Sequence, residues 1–146
     1  MNKVVELMQS KNELVFVCSA YSGDIANNIR RAKKICQKLA KLNYIPFAPH
    51  LYFPRFLDEN NASERKRGIG FGVELMRRCA FVICVGEITE GMRTELEAAQ
   101  SMKIPTLVFR DYKDFIGLSP QNAIEVLHSG VEHLRSKGYT GGSQSE

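Results

Sequence analysis

Four short apolar runs separated by stretches of helical period predict an α/β fold: a single doubly wound domain with a parallel sheet of four or five strands and helices on both faces. The runs are residues 13–18 (ELVFVC), 44–49 (YIPFAP), 81–85 (FVICV) and 104–109 (IPTLVF). Apolar runs of this length bounded by turn signals read as buried parallel strands, and the helical stretches between them supply right-handed βαβ crossovers. At 146 residues the chain suits one compact domain, long enough to bury about two-thirds of its unfolded surface. The domain is expected to span residues 1–138, with a disordered tail over 139–146.

The first strand runs into Ser19, Ala20, Tyr21, Ser22, Gly23 and Asp24, a turn of mostly small residues that leads to a helix. Gly23 permits unusual backbone angles and Asp24 can cap the helix start. Ile25, Ile29, Ala32, Cys36 and Leu39 follow at helical spacing and form one apolar stripe, opposite a basic face of Arg30, Arg31, Lys33, Lys34, Lys38 and Lys41. The turn reads equally as a plain βα connection or as a phosphate or ribose cradle. In the second case the free N–H groups of the helix start and the Ser19 and Ser22 hydroxyls are the donors.

In the second strand the prolines limit the ladder to a short one. His50 and Tyr52 lie just past its carboxyl end, where His50 can meet a base or phosphate, although a lone histidine is more often hydrogen-bonded structure. Residues 51–67 begin aromatic and end charged, as a surface loop does when its apolar part covers a pocket, and they are the lid candidate. Gly68, Gly70 and Gly72 do not make a GxGxxG fingerprint, and no strand precedes them; they read as a helix start passing close to another backbone or to ligand. Beyond the fourth strand, Arg110, Asp111 and Tyr112 begin another edge loop. Ser119 then caps a last helix with Pro120 at its first position, Ala123, Leu127, Val131 and Leu134 on its inner face, and Gly138 at its end.

Composition narrows the function classes. A hydrophobic content of 44% with 25% charged residues is that of a soluble globular protein, and no apolar run approaches the ~20 residues that span a bilayer. The first residues lack a secretory signal, so a cytoplasmic location is expected. Cys18, Cys36, Cys79 and Cys84 contain no CxxC pair and read as reduced core residues. His128 and His133, five apart, do not share a helical face, so no metal is expected. The net charge of +4 is explained by a solvated helix face, without nucleic acid.

The stretch with most chemistry is residues 86–99, GEITEGMRTELEAA. It places Gly86 at the carboxyl end of the third strand and Glu95 about one turn into the next helix, on the sheet edge where open α/β folds bind ligands. Glu90, Glu95 and Glu97 also suit an ordinary surface helix. A strand ending in glycine, the segment GMRTELEAA and a further strand after "KIP" resemble the nucleoside 2-deoxyribosyltransferase superfamily. The likeness is greatest to a small, often phage-borne branch related to 2′-deoxynucleoside 5′-phosphate N-hydrolases, and it covers roughly residues 15–109.

The resemblance implies a Rossmann/flavodoxin-like domain that cleaves the N-glycosidic bond of a nucleoside or nucleoside 5′-monophosphate, by hydrolysis or deoxyribosyl transfer. Glu95 would be the nucleophile, assisted by Tyr21. Ser19, Ser22, Gly23, Asp24, His50, Gly86, Gly91, Met92 and Arg93 would bind substrate, with no cofactor. Small relatives share sites between subunits, so a homodimer or higher homo-oligomer is expected, with Val4, Val5, Leu7 and Met8 as apolar contacts. Two positions depart from the family pattern. Relatives place a tyrosine where this chain has Phe16, and an aspartate near Gly72, where the nearest acid is Glu74. The alternative is a non-catalytic module that senses or sequesters a nucleotide, which needs only the cradle and the lid.

Overall fold

A computed structural model describes residues 2–8 and 12–142. The elements are α1 (Lys3–Met8), β1 (Leu14–Cys18), α2 (Ile25–Lys41), β2 (Ile45–Phe47), α3 (Ala62–Met76), β3 (Phe81–Val85), α4 (Glu90–Ser101), β4 (Thr106–Phe109), α5 (Tyr112–Ile116) and α6 (Pro120–Ser136), with 3-10 turns at Pro49–Leu51 and Phe53–Arg55. The four strands are all parallel in the order β2-β1-β3-β4, so the direction of winding reverses between β1 and β3. That is the switch point at which doubly wound sheets open a ligand crevice.

Strand periodicity splits the core into two layers. Val15, Val17, Ile83 and Val85 face Ile35 and Leu39 of α2, Phe115 of α5 and Leu127 and Val131 of α6. Phe16, Cys18, Val82 and Cys84 face Met76 of α3 and Met92 and Ala99 of α4. β3 is buried along its whole length, which is why its five residues carry no polar alternation. Each fully buried Val, Ile, Leu or Phe here contributes about 1.5–3 kcal/mol by leaving water.

Local chemistry sets the helix starts. Asp24 accepts from Asn27 N–H at the head of α2, and Ser119 from Asn122 N–H at the head of α6, with Pro120 in the first turn. Three expectations need correction. The glycine cluster does not start a helix: α3 begins at Ala62, capped by Asn61, whose side chain accepts from Glu64 N–H at 3.0 Å. The charged half of the expected lid is therefore helical. Gly68 and Gly72 lie one turn apart and let α3 approach Leu57 and Pro49, where an added Cβ would come to 3.3 and 3.7 Å. The edge loop after β4 contains a helix, α5, capped by Asp111. The buried stripe of α2 is Ala32, Ile35 and Leu39, whereas Ile25 is exposed; Lys38 belongs to packing too, because its Nζ donates to the carbonyls of Ile116 at the end of α5 and Leu118 just after it.

Val4 and Val5 are exposed on α1, while the side chains of Leu7 and Met8 lie outside the described residues. Within the expected tail, Gly141 N–H bonds to Lys103 O at 2.8 Å and the Tyr139 hydroxyl accepts from Gln100 Nε2 at 3.3 Å; residues 143–146 lie outside the described residues.

Candidate functional site

The carboxyl ends of β1 and β3 frame a cavity of about 370 Å³, lined by Ser19, Ser22, Asn28, Arg31, Gly86 and Thr89 among others. Its floor is apolar, from Ile35 and Val85 of the α2-side core. Ser19 is the buried polar residue of this edge, at 5% exposure. Asn28 Nδ2 donates to the carbonyls of Tyr21 and Ser22 and fixes the β1–α2 turn. Gly23 (φ 98°) and Gly86 (φ 101°) both occupy left-handed backbone conformations that side-chain-bearing residues avoid. The one cation of this lining is Arg31, whose guanidinium lies 4.8 Å over the Tyr112 ring, an arrangement that holds the charge at the cavity wall. A second, shallower groove of about 490 Å³ shares Gly86, Glu87 and Ile88 with the first and adds Arg93, Leu96 and Arg110.

Glu95 lies on the other side of the edge and lines neither space. Its Oε1 is buried with no hydrogen-bond partner. Burial pushes its carboxyl up to about 7, partly offset by the Cys18 thiol, so near neutral pH the group divides between acid and carboxylate. Cys18 Sγ also approaches Met92 O at 3.7 Å. The Cys18 thiol is held protonated by its contact with Cys84, by burial and by the charge of Glu95.

A third group forms beyond β2. Tyr21 and His50 stack with ring centroids 4.8 Å apart. Burial lowers the His50 imidazole to about 4, so it is neutral at physiological pH and able to donate or accept but not to hold a charge. Burial, then the nearby Glu59 carboxylate, raises the Tyr21 phenol. Next to this pair the aromatic half of the expected lid packs on Phe53, which meets Phe47, Tyr52, Phe56 and Phe71 with centroids 5.2 to 6.0 Å apart.

The sequence-predicted site residues thus divide. Ser19, Ser22 and Gly86 converge on one cavity, and Arg93 lines the second groove, where it forms no ion pair with Glu90 or Glu97. Asp24 is engaged as the α2 cap; the Met92 side chain is in the core and its N–H bonds to the Thr89 hydroxyl. Gly91 is an exposed residue of the first turn of α4. Arg31, Thr89, Tyr112, Arg110, Glu59 and the Cys18–Cys84 pair were not singled out from sequence. Arg31 was legible: Asn28, Arg31 and Ile35, spaced three and four apart, put a polar pair at the ligand end of the buried α2 stripe. Among the described residues no cluster of three His, Cys, Asp or Glu side chains is placed to hold a metal ion, and no helix is long and apolar enough to cross a membrane.

A solved structure of the 2-deoxyribosyltransferase from the psychrotolerant bacterium Bacillus psychrosaccharolyticus is similar to this chain, with a TM-score of 0.56 and 14% sequence identity over 75% of this chain and 95% of that one. At that identity the likeness is one of fold, and it agrees with the α/β architecture and the all-parallel sheet. A search among curated proteins found no match. The profile of a family described as a domain of unknown function, DUF7768, matches residues 13–109, more than half of the sequence, and the chain belongs to that family.

Proposed function

We propose that the protein binds a nucleoside or nucleoside 5′-monophosphate at the switch-point cavity and cleaves its N-glycosidic bond through Glu95. The observation that carries this reading is the buried Glu95 carboxyl. A carboxylate oxygen without a partner inside a protein is costly unless it has a use, and a value near 7 sits where an active-site group can change charge. Attack by the carboxylate on the anomeric carbon forms a glycosyl ester and releases the base. Water or a second base then takes the sugar, the logic of retaining glycosidases. Ser19, Ser22 and the Gly86 turn serve the sugar and its 5′ end, and Arg31 supplies the positive charge that a monophosphate needs. This reading requires the ligand anchored there to extend over the ends of β1 and β3 toward Glu95. The stacked Tyr21 and His50 rings, with Glu59 near the phenol, offer polar groups beyond β2 for the base, and the polar second half of the 51–67 segment, which excludes water poorly, favours hydrolysis over transfer.

A second reading, a nucleotide sensor without catalysis, is favoured by one feature: Glu95 does not line the cavity. A thermal-shift panel of nucleosides and their monophosphates, followed by chromatography for free base, separates the two. A ligand at about 100 times its Kd raises stability by about 2.7 kcal/mol; shifts with base release support the enzyme, shifts without release support the sensor, and no shift with any of them rejects both.

The protein is further proposed to be a homodimer or larger assembly, since α3 exposes Phe71 and Leu75, four apart on one face, together with Ile69, and α1 exposes Val4 and Val5. A monomer mass from solution scattering would contradict this.

A further inference from the structure

Two thiols lie beneath α4, and a carboxyl with one buried oxygen, that of Glu95, lies on the helix itself. Cys18, the last residue of β1, pairs in register with Cys84 of β3. Both side chains fall on the face that α4 covers, and both residues are 0% exposed. α4 brings the Met92 carbonyl to 3.7 Å from Cys18 Sγ, and three residues further along the helix stands Glu95 with its unpartnered Oε1. Positions three apart on a helix share a face, which puts the Glu95 carboxyl on the side of α4 that faces the Cys18 thiol across the β1–α4 contact.

The neighbouring elements hold few other groups able to answer that oxygen. β4 (TLVF) carries no titratable side chain. On α3, Glu74 is engaged at the surface by Arg77 and Arg78. Burial raises the Glu95 carboxyl, and the Cys18 thiol partly offsets that rise. On β3 the facing group is Cys84. The Cys18 S–H is therefore one donor surrounded by three acceptors: the Met92 carbonyl, the Cys84 sulfur and Glu95. A charged acceptor makes a hydrogen bond roughly twice as strong as a neutral one, so ionisation of Glu95 draws that proton away from the other two.

We propose that the Cys18 thiol is the hydrogen-bond donor that receives and orients the ionised Glu95 carboxylate, which makes Cys18 a positioning residue of the site. The proposal deepens the reading of Glu95 as nucleophile and rests on it. By turning its S–H between Met92 O and Glu95, Cys18 responds to the charge of the carboxylate with no movement of the backbone. The unprotonated oxygen stays aimed along one direction, as a nucleophile requires.

Neither test needs substrate, so failure here is distinct from failure to find activity. In protein labelled with carbon-13 glutamate, the Glu95 carboxyl resonance is identified by its loss in Glu95→Gln and its midpoint followed with pH. Cys18→Val fills the space without a donor and should raise the midpoint by about half a pH unit or more, while Cys18→Ser keeps a donor and should hold it near the wild-type value. Equal midpoints in wild type and Cys18→Val, or equal displacement by Val and Ser, would overturn the proposal. Should Cys18→Val not fold, the wild-type protein decides the matter. Its infrared S–H stretching band should move to lower frequency as Glu95 ionises and should not move in Glu95→Gln; a band that ignores pH in wild type overturns the assignment.

Discussion

Replacing Glu95 by glutamine is expected to abolish base release and, in the same variant, to make the protein more stable above pH 7. The two effects share a cause. Glutamine keeps the shape and cannot form the glycosyl ester, so turnover stops while ligand affinity stays within about tenfold, or 1.4 kcal/mol. The stability effect follows from the raised carboxyl, near 7 when folded and near 4.5 when unfolded. Between those values the folded state binds the extra proton, so the slope of stability with pH is negative. The contribution of Glu95 is fully present below about pH 4.5 and is lost as pH rises through 7. A displacement of this size corresponds to roughly 3–3.5 kcal/mol, and the variant should escape that loss. Chemical denaturation of both proteins at pH 5 and pH 8 checks the sign: curves that diverge at pH 5 and meet at pH 8 would contradict the burial argument. If both proteins release base at equal rates, Glu95 is not the nucleophile.

The fold was legible where one physical requirement acted alone. β3 is buried on both faces and its five residues are uniformly apolar, so its bounds could be read directly. Ser119 followed by Pro120 marked the head of α6 through capping and backbone preorganisation. Legibility failed where tertiary contact overrode local preference. Three glycines in five residues argue against a helix interior, yet α3 keeps them because Gly68 and Gly72 permit close approach to the segment after β2. The local signal that would have corrected the start was present in Asn61 followed three residues later by Glu64, a capping arrangement hidden in a charged run.

The site was legible in part for the same kind of reason. Ser19, Ser22 and Gly86 end or follow strands, so topology alone brings them to one edge. The convergence of Cys18, Cys84 and the α4 face that carries Glu95 depends on the register between β1 and β3 and on the rotation of α4 about its axis. Neither is written in residue spacing, and each cysteine taken separately is simply an apolar strand residue.

The position of Arg31 allows the anionic end of the ligand to be tested apart from the chemistry at Glu95. Arg31 lines the cavity and its guanidinium is steadied by Tyr112 at 4.8 Å, so it is already oriented when a ligand arrives. Charge-assisted hydrogen bonds contribute about 1.5–3 kcal/mol, and Arg31→Gln is therefore expected to weaken nucleoside 5′-monophosphate binding by roughly 10- to 100-fold. Binding of the matching nucleoside should change by less than about twofold, because a neutral 5′-hydroxyl makes no comparable demand on a cation. Arg31→Lys should fall between, keeping the charge without the two-pronged geometry. Titration calorimetry of each variant with a nucleoside and its monophosphate, repeated at two salt concentrations, gives the comparison. The wild-type preference for the monophosphate should shrink as salt rises. Equal losses for both ligands would mean that Arg31 supports the cavity wall and does not read the phosphate. An unchanged monophosphate affinity, lost on replacing Arg93 instead, would move the anionic end to the second groove, where Arg93 and Arg110 stand beside the same Gly86 turn.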